Sequence, residues 1–210
     1  GSTLTVGTFT QTGAGNNVIG DDITADVAGI NFDQQVTLTS GTADDTIVFT
    51  GAGGAGENIT LNTVLNADNE NLQLVAGGGS ITANAINLET AGVGTGDLTV
   101  TSALDATFNG TVDVENFSQA AGTGTTTFNQ LFDVAAAFGF TGNDLTVTGA
   151  GANDVGTTMT VANAGTFTLD EGSTLTVGTF TQTGAGNNVI GDDITADVAG
   201  INFDQQVTLT

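Results

Sequence analysis

Apolar and polar side chains alternate along this chain in short bursts. Leu4-Thr-Val6, Ile47-Val-Phe49, Ile59-Thr-Leu61, Leu72-Gln-Leu74, Ile86-Asn-Leu88, Leu98-Thr-Val100, Leu145-Thr-Val147 and Phe167-Thr-Leu169 share one form, two apolar residues flanking a single residue, polar in all but one of them. Successive side chains on a strand point to opposite faces, so each burst predicts a strand of three to five residues with one buried side. Clusters such as Gly13-Ala-Gly-Asn-Asn17, Gly51-Ala-Gly-Gly-Ala-Gly56 and Gly149-Ala-Gly-Ala-Asn153 separate the bursts. Gly, Asn and Asp accept positive φ and close tight corners. The one helical candidate, Val134 to Phe138, is too short to nucleate a helix.

The bursts belong to a larger repeat. Residues Gly1 to Thr39 recur unchanged as Gly172 to Thr210, an offset of 171. Residues 1–171 therefore read as one complete unit and 172–210 as the start of the next identical unit, a piece of a longer tandem array on one continuous solenoid. Inside the unit, Phe32-Asp-Gln-Gln-Val36-Thr-Leu38, Phe108-Asn-Gly-Thr-Val112-Asp-Val114 and Phe128-Asn-Gln-Leu-Phe132-Asp-Val134 share the form Phe-x-x-x-apolar-x-apolar, at offsets of 76 and 20. Since 76 is 4 × 19 and 171 is 9 × 19, the spacing predicts a rung of about 19–20 residues and about nine rungs per unit. One such rung cannot bury its apolar side alone, whereas a stack builds a continuous core, so the expected fold is an all-β parallel β-helix, or β-solenoid. Stacking also lines up Asn and Thr into ladders along the axis.

Composition sharpens this. With 32 Gly and no Pro, the chain has corner residues and nothing to interrupt a backbone ladder. A 39% hydrophobic share argues for a folded core despite a formal charge of -23. There is no Lys, Arg, His or Cys, which removes Ser-His-Asp and Cys-His triads, Schiff-base lysines, His/Cys zinc sites and disulfides. Nucleic acid is not an expected partner, because that binding needs basic residues to neutralise phosphates. No apolar run approaches the length of a membrane span, and no membrane insertion is expected.

Thr107-Phe-Asn-Gly-Thr-Val-Asp-Val114, Thr126-Thr-Phe-Asn-Gln130 and Asp144-Leu-Thr-Val-Thr-Gly149 resemble the repeats of very large bacterial exoproteins of the filamentous haemagglutinin and autotransporter-passenger type. The resemblance spans essentially the whole chain. It implies a right-handed parallel β-helix exported by a bacterium to the cell surface and displayed as an extracellular fibre or as an adhesin arm. Such a chain is structural and not an enzyme, and its expected partners are neighbouring copies of itself, end to end or side by side.

Candidate chemistry is confined to oxygen ligands. Calcium takes Asp, Asn and carbonyl oxygens, and the corners supply them at Asp21-Asp22, Asp44-Asp45 and Asp144, the last within Gly142-Asn-Asp-Leu145. No cofactor is required by this reading; calcium is the candidate ion, and divalent cations would bridge rods that their own charge keeps apart. Thr-x-Thr pairs, among them Thr146/Thr148 and Thr166/Thr168, suggest an ice-binding face, but their linear spacings hold no single rung phase. Paired carboxylates such as Asp170-Glu171 point to opposite faces of a strand and read as solvated turns in place of a polysaccharide-cutting pair. Sequons at Asn58, Asn109 and Asn116 fit the frequency of Asn and Thr, the phenylalanines fit rung core, and the acidic piece Asn66 to Asn71 is the candidate adhesive loop.

Overall fold

A computed structural model describes residues 2–41, 44–53, 56–66, 69–89 and 96–210. Their 24 strands form a single sheet in which the strands pair in parallel and stack in about nine turns, with no helix among the described residues. This is the β-solenoid that the alternation and the Gly-rich corners predict.

Each turn crosses three faces. The first is built by Thr3–Val6, Asp22–Ala25, Thr46–Gly51, Asn71–Val75, Leu98–Ser102, Phe117–Gln119 and Ala137–Gly142, one above the other. The second holds Phe9–Gln11, Ile30–Phe32, Ala106–Phe108, Thr125–Phe128, Asp144–Val147, Thr166–Leu169, Asn187–Ile190 and Val207–Leu209, and the third holds Asn17–Ile19, Val36–Leu38, Val112–Val114 and Phe132–Val134. Longer strands bend round a corner and serve two faces: Ile59–Asn66 pairs with Ile30–Phe32 through its first half and with Val36–Leu38 through its second. Gly151–Asn163, Ser173–Thr183 and Ile194–Phe203 likewise carry the third face into the first.

Turn length is uneven. Following partners from Leu4 through Ile23, Phe49, Leu74, Val100, Gln119, Phe140, Val161 and Gln182 to Phe203 takes nine steps, which average about 22 along the chain. A step of 19 joins Leu4 to Ile23, and one of 29 joins Ile30 to Ile59. Phe32, Phe108 and Phe128 do share one column, as their common motif predicts, yet the spacing of 76 covers three turns, with Leu61 and Ala83 between. Seven steps carry Leu4 to Val161 on the first face, and Leu175 lies two faces further on, so one repeat unit completes seven and two-thirds turns.

The interior is continuous. Phe32, Phe49, Phe108, Phe117, Phe128, Phe132, Phe138, Phe140, Phe167 and Phe180 are fully buried together with the inward Leu, Ile and Val residues of each rung. Phe117 stacks on Phe138 at 4.6 Å and Phe108 on Phe128 at 4.9 Å, so rings from consecutive rungs fix each other's register. Burying one such side chain contributes about 1.5–3 kcal/mol, and only a neighbouring rung can provide the cover.

Candidate functional site

The carboxylates nominated from sequence lie at corners and strand starts, where they join one rung to the next. Asp21 accepts hydrogen bonds from the Ser2 amide and hydroxyl, both at 2.8 Å. Asp22 accepts from the Val48 amide at 2.9 Å, and Asp144 from the Thr166 amide at 2.6 Å and from Asn143 Nδ2 at 2.8 Å. Asp45 caps its own strand through the Thr46 amide at 2.9 Å, while Asp44 turns the chain at φ 65 and donates its amide to the Asn69 carbonyl. A short carboxylate at the head of a strand satisfies an amide that the ladder leaves over. The structure keeps these five residues apart as staples, and among the described residues no three acidic side chains converge to hold one metal ion.

The ladders expected from stacking are present. Asn84 Nδ2 donates to Asn62 Oδ1 at 3.0 Å, Asn129 Nδ2 to Asn109 Oδ1 at 2.9 Å, and Thr148 Oγ1 to Asn129 Oδ1 at 3.1 Å. All three sequon asparagines work this way: Asn58 accepts from the Ser80 amide, Asn109 from Asn129, and Asn116 from the Ala137 amide.

One acidic array escaped the sequence reading. Asp113, Asp133 and Asp154 are partners in register on three consecutive turns of the third face, above Asn87. Parallel neighbours are about 4.8 Å apart, so like charges face each other at close range. Burial, followed by the charge of Asp133, holds the Asp113 carboxyl above its usual range. Burial first, then Asp113, Glu115 and Asp133, does the same to Glu89, which shares a hollow of about 270 Å³ with Asp113 and Asp133. The signal was there in Val112-Asp-Val114 and Phe132-Asp-Val134, which a step of 20 superposes.

Of the proposed adhesive loop Asn66 to Asn71, Ala67 and Asp68 lie outside the described residues. Glu70 is buried and accepts from the Ser40 amide, which ties that corner to the rung below. A groove of about 550 Å³ follows the corner between the first and second faces past Ala120, Gly122, Gly142, Ala162, Ala164 and Ala185, and no ionisable side chain lines it. No known protein family, curated protein or solved structure matches the chain.

Proposed function

We propose that the chain is a stretch of an extracellular structural fibre or stalk, assembled from tandem copies of the 171-residue unit. The observation that carries this reading is the behaviour of the duplicated segment, Gly1 to Thr39 and Gly172 to Thr210. Leu4 pairs with Ile23 and Leu175 with Ile194; Phe9 pairs with Ile30 and Phe180 with Ile201; Asn17 pairs with Val36 and Asn188 with Val207. The same sequence thus winds in the same register above two different neighbours, which is what a unit needs in order to be added repeatedly. Mechanically, backbone ladders run along the axis, the Phe-rich core sets register, and the acidic coat keeps rods soluble.

Divalent cations would act between rods and not within one. The in-register carboxylates Asp113, Asp133 and Asp154 present a line of negative charge that a second rod can share through calcium. Antibodies raised against this chain should decorate fibres on the outside of intact cells in electron micrographs, and millimolar calcium should bundle purified rods where sodium at equal ionic strength does not. Label confined to the cell interior would overturn the extracellular reading. An adhesin arm would instead retain a defined sugar on a glycan array.

A further inference from the structure

The second face carries a feature that the fibre reading does not use. Its central outward position is occupied by Thr60, Thr82, Thr107, Thr127, Thr146 and Thr168 on six consecutive turns, each the register partner of the next. Linear spacing hides this column because the successive offsets are uneven: 22, 25, 20, 19 and 22. The column continues past Asn31 to Thr10 at one end and past Val189 to Thr208 at the other.

We propose that this face binds ice. None of the six hydroxyls has a hydrogen-bond partner among the described residues, although the neighbouring outward column, Asn62, Asn84, Asn109, Asn129 and Thr148, is bonded to itself along the axis. The six hydroxyls are therefore free to bond water, and the axial bonds of the column beside them, from Asn62 to Asn84 and from Asn109 to Thr148, stiffen the surface. The backbone ladder spaces them by about 4.8 Å along the axis, and the second column lies about 6.6 Å away across it, two residues along the strand. Both repeats fall close to oxygen spacings on flat faces of ice. The threonine column contains no charged residue, and its alternating hydroxyl and methyl groups suit water caged against a surface. β-branching restricts each threonine at χ1, so little side-chain freedom remains to be lost on binding. Ordered water is the ligand class because the array offers hydroxyls at a lattice repeat; the hollow of about 220 Å³ that Thr60, Thr82, Asn62 and Asn84 line with Asp33 sits at one end of the column.

The test uses the whole chain. During slow growth of an ice crystal, the protein should enter the ice in excess of a non-binding control protein and hold a faceted seed crystal unmelted and ungrown over a measurable temperature gap. The paired change Thr107→Lys and Thr127→Lys should abolish both effects, whereas Thr160→Lys, outward on the first face, should leave them unchanged. Circular dichroism checks that each variant keeps its strands. Should the paired variant unfold, Thr127→Leu replaces it, since it keeps the position extended while removing one hydroxyl from the middle of the array, and it should narrow the gap. Exclusion of the unmodified chain from ice overturns the proposal, as does a gap that the column variants leave intact. Retention on crystalline chitin without entry into ice would also overturn it, and would mark the face as a polysaccharide surface.

Discussion

The chain contains its own control experiment, since residues 2–39 and 173–210 have one sequence and two environments. Within residues 2–210, Ile59–Asn66 stacks on the rung of Ile30 in the first copy and Gly151–Asn163 stacks on the rung of Leu175 in the second, so the two copies are covered from opposite sides. Leu4 is 47% exposed and Leu175 1%, while Leu38 is fully buried and Leu209 is 78% exposed. Polar residues respond too. Gln11 Nε2 reaches the carbonyls of Gly13 and Gly15 from a half-exposed position, whereas the same residue at Gln182 is buried and donates to Asn163 Oδ1 on the preceding turn. The two copies also occupy different faces: Leu4 lies on the first and Leu175 on the third. Local sequence therefore sets strand and register, whereas burial depends on which rung lies above or below, and the three faces are interchangeable.

The sharpest way to break this comparison is to delete the same ring in both copies. In the 210-residue chain, Phe180→Ala should cost about 3–5 kcal/mol in urea unfolding, because Phe180 is buried between Phe167 and Phe203, while Phe9→Ala, at a partly buried ring packed against Phe32, should cost less than half as much. Equal losses would show that position in the stack does not set burial. Next come the aliphatic pair: Leu38→Ala should cost about 2–4 kcal/mol and Leu209→Ala less than about 0.5 kcal/mol by the same measurement.

A backbone pair follows. Gly29 and Gly200 hold the same corner at φ 85 and φ 102, but a Cβ on Gly29 would lie 2.2 Å from the Asn58 carbonyl oxygen, whereas one on Gly200 would meet nothing within 4 Å. Gly200→Ala should cost about 1–2 kcal/mol from left-handed strain alone. Gly29→Ala should cost more, since the corner must also move off the next rung; thermal melts of the two variants would rank them.

The smallest effect is electrostatic, and it belongs to the middle of the stack. Asp113 and Glu89 titrate above their ordinary values in the fold, so their ionised forms oppose folding at neutral pH. Stability should rise as pH falls from about 7 towards the ordinary carboxylate range, where the unfolded chain also takes up its protons. Asp113→Asn should raise the melting temperature at neutral pH and flatten that slope. The corresponding rung of the second copy carries Thr176 above Asp154, and Thr176→Ser should leave the slope unchanged.

Much of this was legible from residues alone. Alternation in Leu145-Thr-Val147, with Gly142 before it and Gly149-Ala-Gly151 after it, is sufficient for strand and turn, and the shared Phe motif is sufficient to stack Phe108 on Phe128. Turn length was not legible, because Gly- and Asn-rich corners absorb insertions without altering the strands they join. The step from Ile30 to Ile59 is longer by ten than the step from Leu4 to Ile23, and both keep apolar residues inward. That unevenness turned three turns into an apparent four between Phe32 and Phe108, and it scattered the threonines of the second face in linear sequence. The nominated aspartates lie at corners and strand starts, but the carboxylates of Asp21, Asp22 and Asp144 are directed to amides of adjacent rungs, a destination that depends on the uneven register.

The most direct measurement is helical reconstruction by electron cryomicroscopy of a chain carrying several consecutive 171-residue units. Seven and two-thirds turns at about 4.8 Å predict an axial rise near 37 Å per unit, with each unit rotated by about a third of a turn from the last. A rise near 43 Å with no rotation, the result of nine whole turns, would contradict the account.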